Sequence, residues 1–307
     1  MTIVDALHLL GRRGDETAIR FGPWSALTCG ELYRRATEAA AGLVAHSVRP
    51  GARVVVALPA GPDFPVVLHG VLAAGGVAVP VAPPGELCRL VRLTGATHVV
   101  TTDPRPVLSQ PDLAGSVAVL HPDELRTDRT VSLPVAKAAD LAVIDADGVC
   151  LSHANILHNV RSVLPHLPPG PLSGRHPLHH GVGLIGMLLG SAILGRPLVL
   201  DRPSSWPDWY GHAEHTLVVA VGGRPLSGVD VRVVGAAGQR LVDGLIGEIA
   251  LASPSVCVGR LTERGLRPVV SRGYLRTGDL GFLDGGELTV TGRKRRGIPA
   301  RALPRAA

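Results

Sequence analysis

Lysine, aromatic residues and cysteine are all scarce in this chain, and each shortage narrows what it can do. Lys137 and Lys294 are the only lysines among 31 basic residues. An ammonium is the usual compact point charge for a phosphate, so phosphate or acyl chemistry has two positions from which to recruit one. With three Phe, three Tyr and three Trp, there are few platforms on which bases could stack, and the net charge of +6 is not read as nucleic-acid binding. The one basic cluster, Arg293, Lys294, Arg295, Arg296, Arg301 and Arg305, reads as a solvated end, with residues 295–307 expected to be a disordered basic tail. Cys29, Cys88, Cys150 and Cys257 lie far apart with no CxxC pair, which favours buried thiols over a disulfide framework. No apolar run is long enough for a membrane span, since Gly, Pro or His interrupts each one. The first residues, MTIVDALHLLGRRGDE, lack the basic start and apolar stretch of a signal peptide, so a cytoplasmic location is expected.

What is present is enough apolar residue, 46% of 307, to build a substantial core. Residues 28–46 predict a helix: Thr28 and Glu31 form a capping box, and Leu32, Ala36, Ala39 and Leu43 keep helical spacing. RVVVAL from Arg53, a helix beginning near Pro62 and VAVPVAPP from Val77 make a β-α-β unit. Its unbroken aliphatic strands imply a parallel sheet covered on both faces. A strand, a short turn and a helix from about Ser152 follow in DLAVIDADGVCLSHANILHNVRSVL, then an apolar helix over 182–195. After residue 220 short β-rich runs alternate with Gly turns. The expected fold is α/β: a doubly wound, mostly parallel sheet over 1–215 and a smaller β-rich unit over 222–292.

Six stretches occur in a recognisable order: GARVVVALPAGPDFPVVLHGVLAAGGVAVPVAPP, LSHANILHN, PLHHGVGLIGMLL, YGHAEHTLVV, IGEIALASPSVCVGRL and YLRTGDLGFLDGGELTVTGR. Together they resemble the adenylate-forming enzymes, and among these the fatty acyl-AMP ligases that hand acyl groups to carrier proteins. The resemblance implies ATP-dependent activation of a fatty or other carboxylic acid to an acyl-adenylate. It implies ATP or AMP and Mg²⁺ as cofactors, and an acyl carrier protein or an intact ligase as partner.

Roles follow position by position. Asp279 in the TGD turn would accept hydrogen bonds from both ribose hydroxyls, which a carboxylate does well. Arg293 in VTGR would contact the ribose, and Tyr210 would stack near the adenine. Glu214 would hold the Mg²⁺ that bridges the phosphates. His180 would sit at the mouth of the acyl pocket. Each has a plainer reading: Asp279 as a turn former, Glu214 as a surface acid, Tyr210 as a core residue, Arg293 as part of a solvated basic face.

The departures from the family pattern matter as much. Where the resemblance implies a Ser/Thr/Gly-rich phosphate loop ending in Pro-Lys-Gly, this chain reads VIDADGVCLSH, with Asp147 in place of the phosphate-binding Lys. Such loops aim backbone N–H groups and one cation at phosphate oxygens. At about 1.5–3 kcal/mol for each charge-assisted bond, losing three would weaken triphosphate binding by orders of magnitude. Between Leu200 and Trp209 the stretch DRPSSWPD stands where the family has a longer segment. The family's mobile C-terminal domain, with the Lys that polarises the carboxylate, is expected to be absent from a chain that ends at Ala307. No catalytic residue is therefore assigned. The expectation is an acyl-AMP ligase-like protein with impaired turnover; the alternatives are a non-catalytic adenylate-binding or partner-docking paralogue, or a decayed relic.

Overall fold

The computed structural model describes residues 1–83, 85–127, 131–204 and 206–294, so the tail expected over 295–307 lies outside the described residues. The chain is α/β. Its largest sheet has eight strands, which run from one edge to the other as Gly265–Arg267, Gly259–Thr262, Val149–Ser152, Leu141–Ile144, Val77–Pro80, Arg53–Ala57, His98–Thr101 and Ala118–Leu120. Neighbours from Leu141–Ile144 to Ala118–Leu120 are parallel. The three remaining joins are antiparallel.

The central strand shows why an all-aliphatic run suits this sheet. Val54 and Val56 pack into one core cluster, while Val55 and Ala57, on the other face, pack into a second. Side chains that alternate between two buried faces must all be apolar. The first face is covered by Cys29–Ala45 and Asp63–Ala73. Thr28 and Glu31 close the expected capping box on the first of these helices. The two helices approach so closely at Gly70 that a Cβ there would lie 2.8 Å from the Ala39 Cβ. The second face is covered by Leu87–Thr94.

The described residues form three further sheets. Ser25–Thr28, Thr17–Gly22, Leu198–Val199 and Leu172–Ser173 form one, and Trp209–Gly211, Val218–Val221 and Arg224–Pro225 form another. The β-rich part of the chain builds a curled antiparallel sheet from Asp230–Val234, Gly247–Ala252, Tyr274–Asp284, Val270–Ser271 and Glu287–Arg293.

Four elements depart from the sequence expectation. Gly259–Thr262 and Gly265–Arg267 come from the β-rich half of the chain yet extend the large sheet, beside Val149–Ser152. The short hairpin at 141–152 leaves that strand an edge whose backbone groups need partners. The apolar helix over 182–195 is wound as π-helix over Val182–Leu189 and as α-helix over Gly190–Leu194 alone. An additional N-terminal helix, Ile3–Gly11, starts from a capping box of Thr2 and Asp5 and buries Ile3, Ala6, Leu7 and Leu10.

Candidate functional site

The TGD segment, expected as a turn, is an irregularity within the strand Tyr274–Asp284 and is anchored from within. The Thr277 hydroxyl donates to the Ile249 carbonyl at 2.9 Å and accepts the Asp279 N–H at 3.0 Å. Gly278 between them has φ +76°, a backbone region that favours glycine. Asp279 is thereby fixed on the long strand Tyr274–Asp284, directly across from Arg293 on Glu287–Arg293. The Arg293 Nε stands 3.7 Å from Asp279 Oδ1. The Asp279 side chain is 14% exposed and that of Arg293 75%, so a sunken acceptor is paired with a mobile cation above it.

Tyr210 completes the cluster by donating its hydroxyl to Asp279 Oδ2 at 2.8 Å. Burial first, and then the Asp279 carboxylate, push the phenol well above its ordinary pKa and keep it a donor. Trp209 and Gly211, on either side of Tyr210, line a cavity of about 390 Å³. Tyr210 itself turns away from that cavity and packs on the small core of Val219, Ala220 and Ile249.

The cavity is walled by Leu184, Ile185 and Leu217 from the π-helical segment and its neighbour, with His180 exposed at its edge. The His180 ring meets the His179 ring edge-on at 4.8 Å. At its other end stand Asp145 and Asp147. These belong to the four-residue turn 145–148 between Leu141–Ile144 and Val149–Ser152. Asp145 Oδ1 accepts the N–H groups of Asp147 at 2.9 Å and Val149 at 2.8 Å. Burial pushes the Asp145 carboxyl up to about 6, against the hydrogen bond from Val149 and with the help of the neighbouring Asp147 charge.

Glu214 is placed differently from a free metal ligand. One of its oxygens lies 2.8 Å from His212 Nδ1 and the other 3.2 Å from Arg260 Nη1. Burial opposes its ionisation, but His212 and then Arg260 outweigh it and hold the carboxyl below the ordinary range. His212 Nε2 donates to the Thr277 carbonyl at 3.1 Å, which ties this buried ion cluster to the TGD segment. Arg260 sits on the strand that crosses into the large sheet, so the cluster also joins the two sheets.

Three participants were not singled out from sequence. Arg260 is one arginine among many. Asp145 lies in the short turn next to the Asp147 that drew attention. Thr216 has φ +68° and ψ −59°, and the Leu217 N–H reaches back to the His215 carbonyl at 2.8 Å. That is a tight γ-turn, strained for a β-branched residue. Its hydroxyl donates to the Ser255 carbonyl at 2.6 Å, and the residue lines the cavity. No composition signal marks a threonine held this way.

With the geometry in place, relatives decide the family. The AMP-binding enzyme family matches this chain over residues 8–217. The chain belongs to it. It is 31% identical to pyochelin synthetase PchE of Pseudomonas aeruginosa over 148 residues, 45% of this chain. It is 27% identical to the long-chain-fatty-acid–AMP ligase FadD26 of Mycobacterium marinum over 232 residues, 64% of this chain. The matches span 10% of the first relative and 40% of the second, well short of their full lengths. The fold is that of a fatty acyl-adenylate ligase from L. pneumophila, solved with acyl adenylate and pyrophosphate: TM-score 0.82 at 20% identity, covering 95% of this chain and 77% of that one. Family members act on carboxylic acids through an adenylate. No helix among the described residues is long and apolar enough to cross a membrane.

Proposed function

We propose that this chain binds an acyl-adenylate, or AMP, and that it activates fatty acids with ATP weakly or not at all. Asp279 takes the ribose hydroxyls, Arg293 closes over the ribose from the exposed side, and the acyl group of a fatty or other carboxylic acid enters the cavity past His180. A cavity of about 390 Å³ suits a ligand of that size. Tyr210 holds Asp279 in place through its hydroxyl.

The observation that carries this reading is the Asp145 carboxylate. It takes up the N–H groups of Asp147 and Val149, the backbone donors that a phosphate would need there. Asp147 adds a second negative charge at the same end of the cavity. An acyl-adenylate, the mixed anhydride of a carboxylic acid with AMP, carries one negative charge on its phosphate and tolerates this environment far better than a triphosphate. The residues therefore fit an adenylate and do not fit the triphosphate. They do not fit Mg²⁺ at Glu214 either, since its two oxygens already face His212 and Arg260. The relatives named above, a pyochelin synthetase and a long-chain-fatty-acid–AMP ligase, support an acyl carrier protein or an intact ligase as the source or recipient of the acyl group.

Calorimetric titration with a non-hydrolysable acyl-adenylate analogue, for the native chain and for Asp279→Ala, tests the reading. Binding is expected for the native chain and a loss of at least about tenfold for the variant, from the missing charge-assisted bonds. A well-folded native chain that does not take up the analogue would overturn the adenylate assignment. Fatty-acid-dependent pyrophosphate release well above the rate without protein would overturn the impairment.

A further inference from the structure

A second pocket, of about 420 Å³, opens on the curled antiparallel sheet, and neither Asp279 nor Arg293 lines it. Its floor is set by strand register. Arg232, Ala250 and Arg276 stand side by side on three neighbouring strands, so their side chains share one face. The opposite face carries Val231, Ile249, Leu251 and Leu275, which share one core cluster, and the buried Val233. Ala250, with a methyl between two long side chains, leaves a recess, and Arg232 and Arg276 form its walls. Arg240 and Arg272 stand exposed at the rim.

The charge there is unbalanced. Arg232 pairs with Asp230 at 3.1 Å. Arg276 pairs with Glu248, which also serves Lys294 at 3.6 Å. Among the described residues neither Arg240 nor Arg272 has an ion-pair partner. Five cations thus surround two carboxylates, and no acid lines the recess itself. The Nε atoms of Arg232 and Arg276 are shielded from solvent and without a hydrogen-bond partner among the described residues. The Arg232 guanidinium lies over the Tyr274 ring at 4.3 Å, which fixes its plane.

Arg272 supplies an independent sign. It occupies the hairpin turn between Ser271 and Tyr274 with φ +52°, followed by Gly273 at φ +83°. Asn or Gly is favoured at such a position. An arginine held there places its charge at the pocket rim against the local preference.

We propose that this pocket is a binding site for a phosphate-bearing small molecule, with a diphosphate or phosphate-ester end on the arginines. Guanidinium forks match phosphate oxygens two at a time, which a lone ammonium does not. The recess is too large for orthophosphate alone and too narrow for a folded partner, so the occupant carries a body beyond its phosphoryl group.

The test is calorimetric titration of pyrophosphate at low and at physiological salt, since exposed charge pairing weakens as salt screens it. The variants are Arg293→Gln, which removes the cation of the first cluster, and the pair Arg240→Gln with Arg272→Asn. The pair removes two charges without a structural partner, and Asn suits the turn, so its melting temperature is expected to match that of the native chain. Pyrophosphate is expected to bind the native chain, to bind the paired variant at least tenfold more weakly, and to bind Arg293→Gln as before. Equal affinity in native and paired variant overturns the site. Loss in Arg293→Gln would place the binding in the first cluster and overturn it too. Citrate bound as tightly as pyrophosphate would overturn the phosphoryl preference.

Discussion

Tyr210 and Asp279 are brought from 69 residues apart in the chain into a 2.8 Å hydrogen bond between phenol and carboxylate. The bond joins a strand of the small three-stranded sheet to the TGD segment of the curled sheet. It also makes Tyr210 a positioning residue: its hydroxyl holds the acid, and its ring is turned out of the main cavity. Tyr210→Phe is expected to cost about 1 kcal/mol of stability and to weaken an acyl-adenylate analogue by roughly three- to tenfold. Asp279→Ala should weaken it more. If the two variants were equally damaging in a titration, Tyr210 would have to touch the ligand itself.

Thr216 stores strain beside the cavity, and two substitutions separate the strain from the bond that holds it. Thr216→Val keeps the shape and the positive φ but leaves the Ser255 carbonyl without its 2.6 Å donor, at a cost of about 1–3 kcal/mol. Thr216→Gly loses the same bond but releases about 1–3 kcal/mol of backbone strain, so it should lie close to native stability. Denaturant midpoints check the order. A Gly variant less stable than the Val variant would mean that the turn carries no strain.

Much of the architecture was legible because its causes are local. The Thr28 and Glu31 box and the strand Arg53–Ala57, buried from Val54 onward, each carry their signal within a few residues. The TGD segment, read as a turn, instead lies inside the strand Tyr274–Asp284, because the pairing that keeps the chain extended there comes from distant strands. The strands 259–262 and 265–267 were read as part of the β-rich unit, because nothing local states which open edge a strand will pair with. The π-helical winding of Val182–Leu189 was hidden in a run that reads as any apolar helix. Within the site, the acids were visible but their partners were not. Glu214 reads as a free carboxylate until Arg260, from a distant strand, is seen against it. Asp145 reads as a turn residue until its oxygen is seen to take two backbone N–H groups.

The pH dependence of stability should carry the mark of Asp145. Its folded pKa is about 6 against an ordinary 3.8, so the folded chain holds the proton more tightly than the unfolded one. Its contribution is therefore full below about pH 4 and is lost as pH rises through 6. The buried His153 and His215, both lowered to about 4 by burial, act in the opposite sense. Their contribution is full above pH 6.5 and is lost as pH falls towards 4. Asp145→Asn can keep both backbone bonds through its amide oxygen while removing the charge. Relative to the native chain it should gain roughly 1–3 kcal/mol between pH 4 and pH 7.5. Chemical melts at the two pH values check this, and an identical difference at both would rule the shifted carboxyl out.

Charge at the acidic end of the cavity is also the simplest lever on triphosphate binding. Asp147 is exposed, and its backbone N–H is already engaged by Asp145, so replacing its side chain leaves the turn intact. Asp147→Lys changes the local charge by two units. At separations of about 5–8 Å from a phosphate in near-aqueous dielectric, that amounts to roughly 1–2 kcal/mol, or about tenfold in affinity. The expected result is that ATP displaces a bound acyl-adenylate analogue about ten times more effectively from the variant than from the native chain. Displacement is the right readout, because it is blind to ATP held by the arginine pocket on the curled sheet. The gain should shrink as salt is raised, since exposed charges are screened within about 10 Å at 0.1 M. Equal displacement in both proteins at low salt would mean that the turn does not face the phosphates, and the proposal that this chain disfavours ATP would lose its cause.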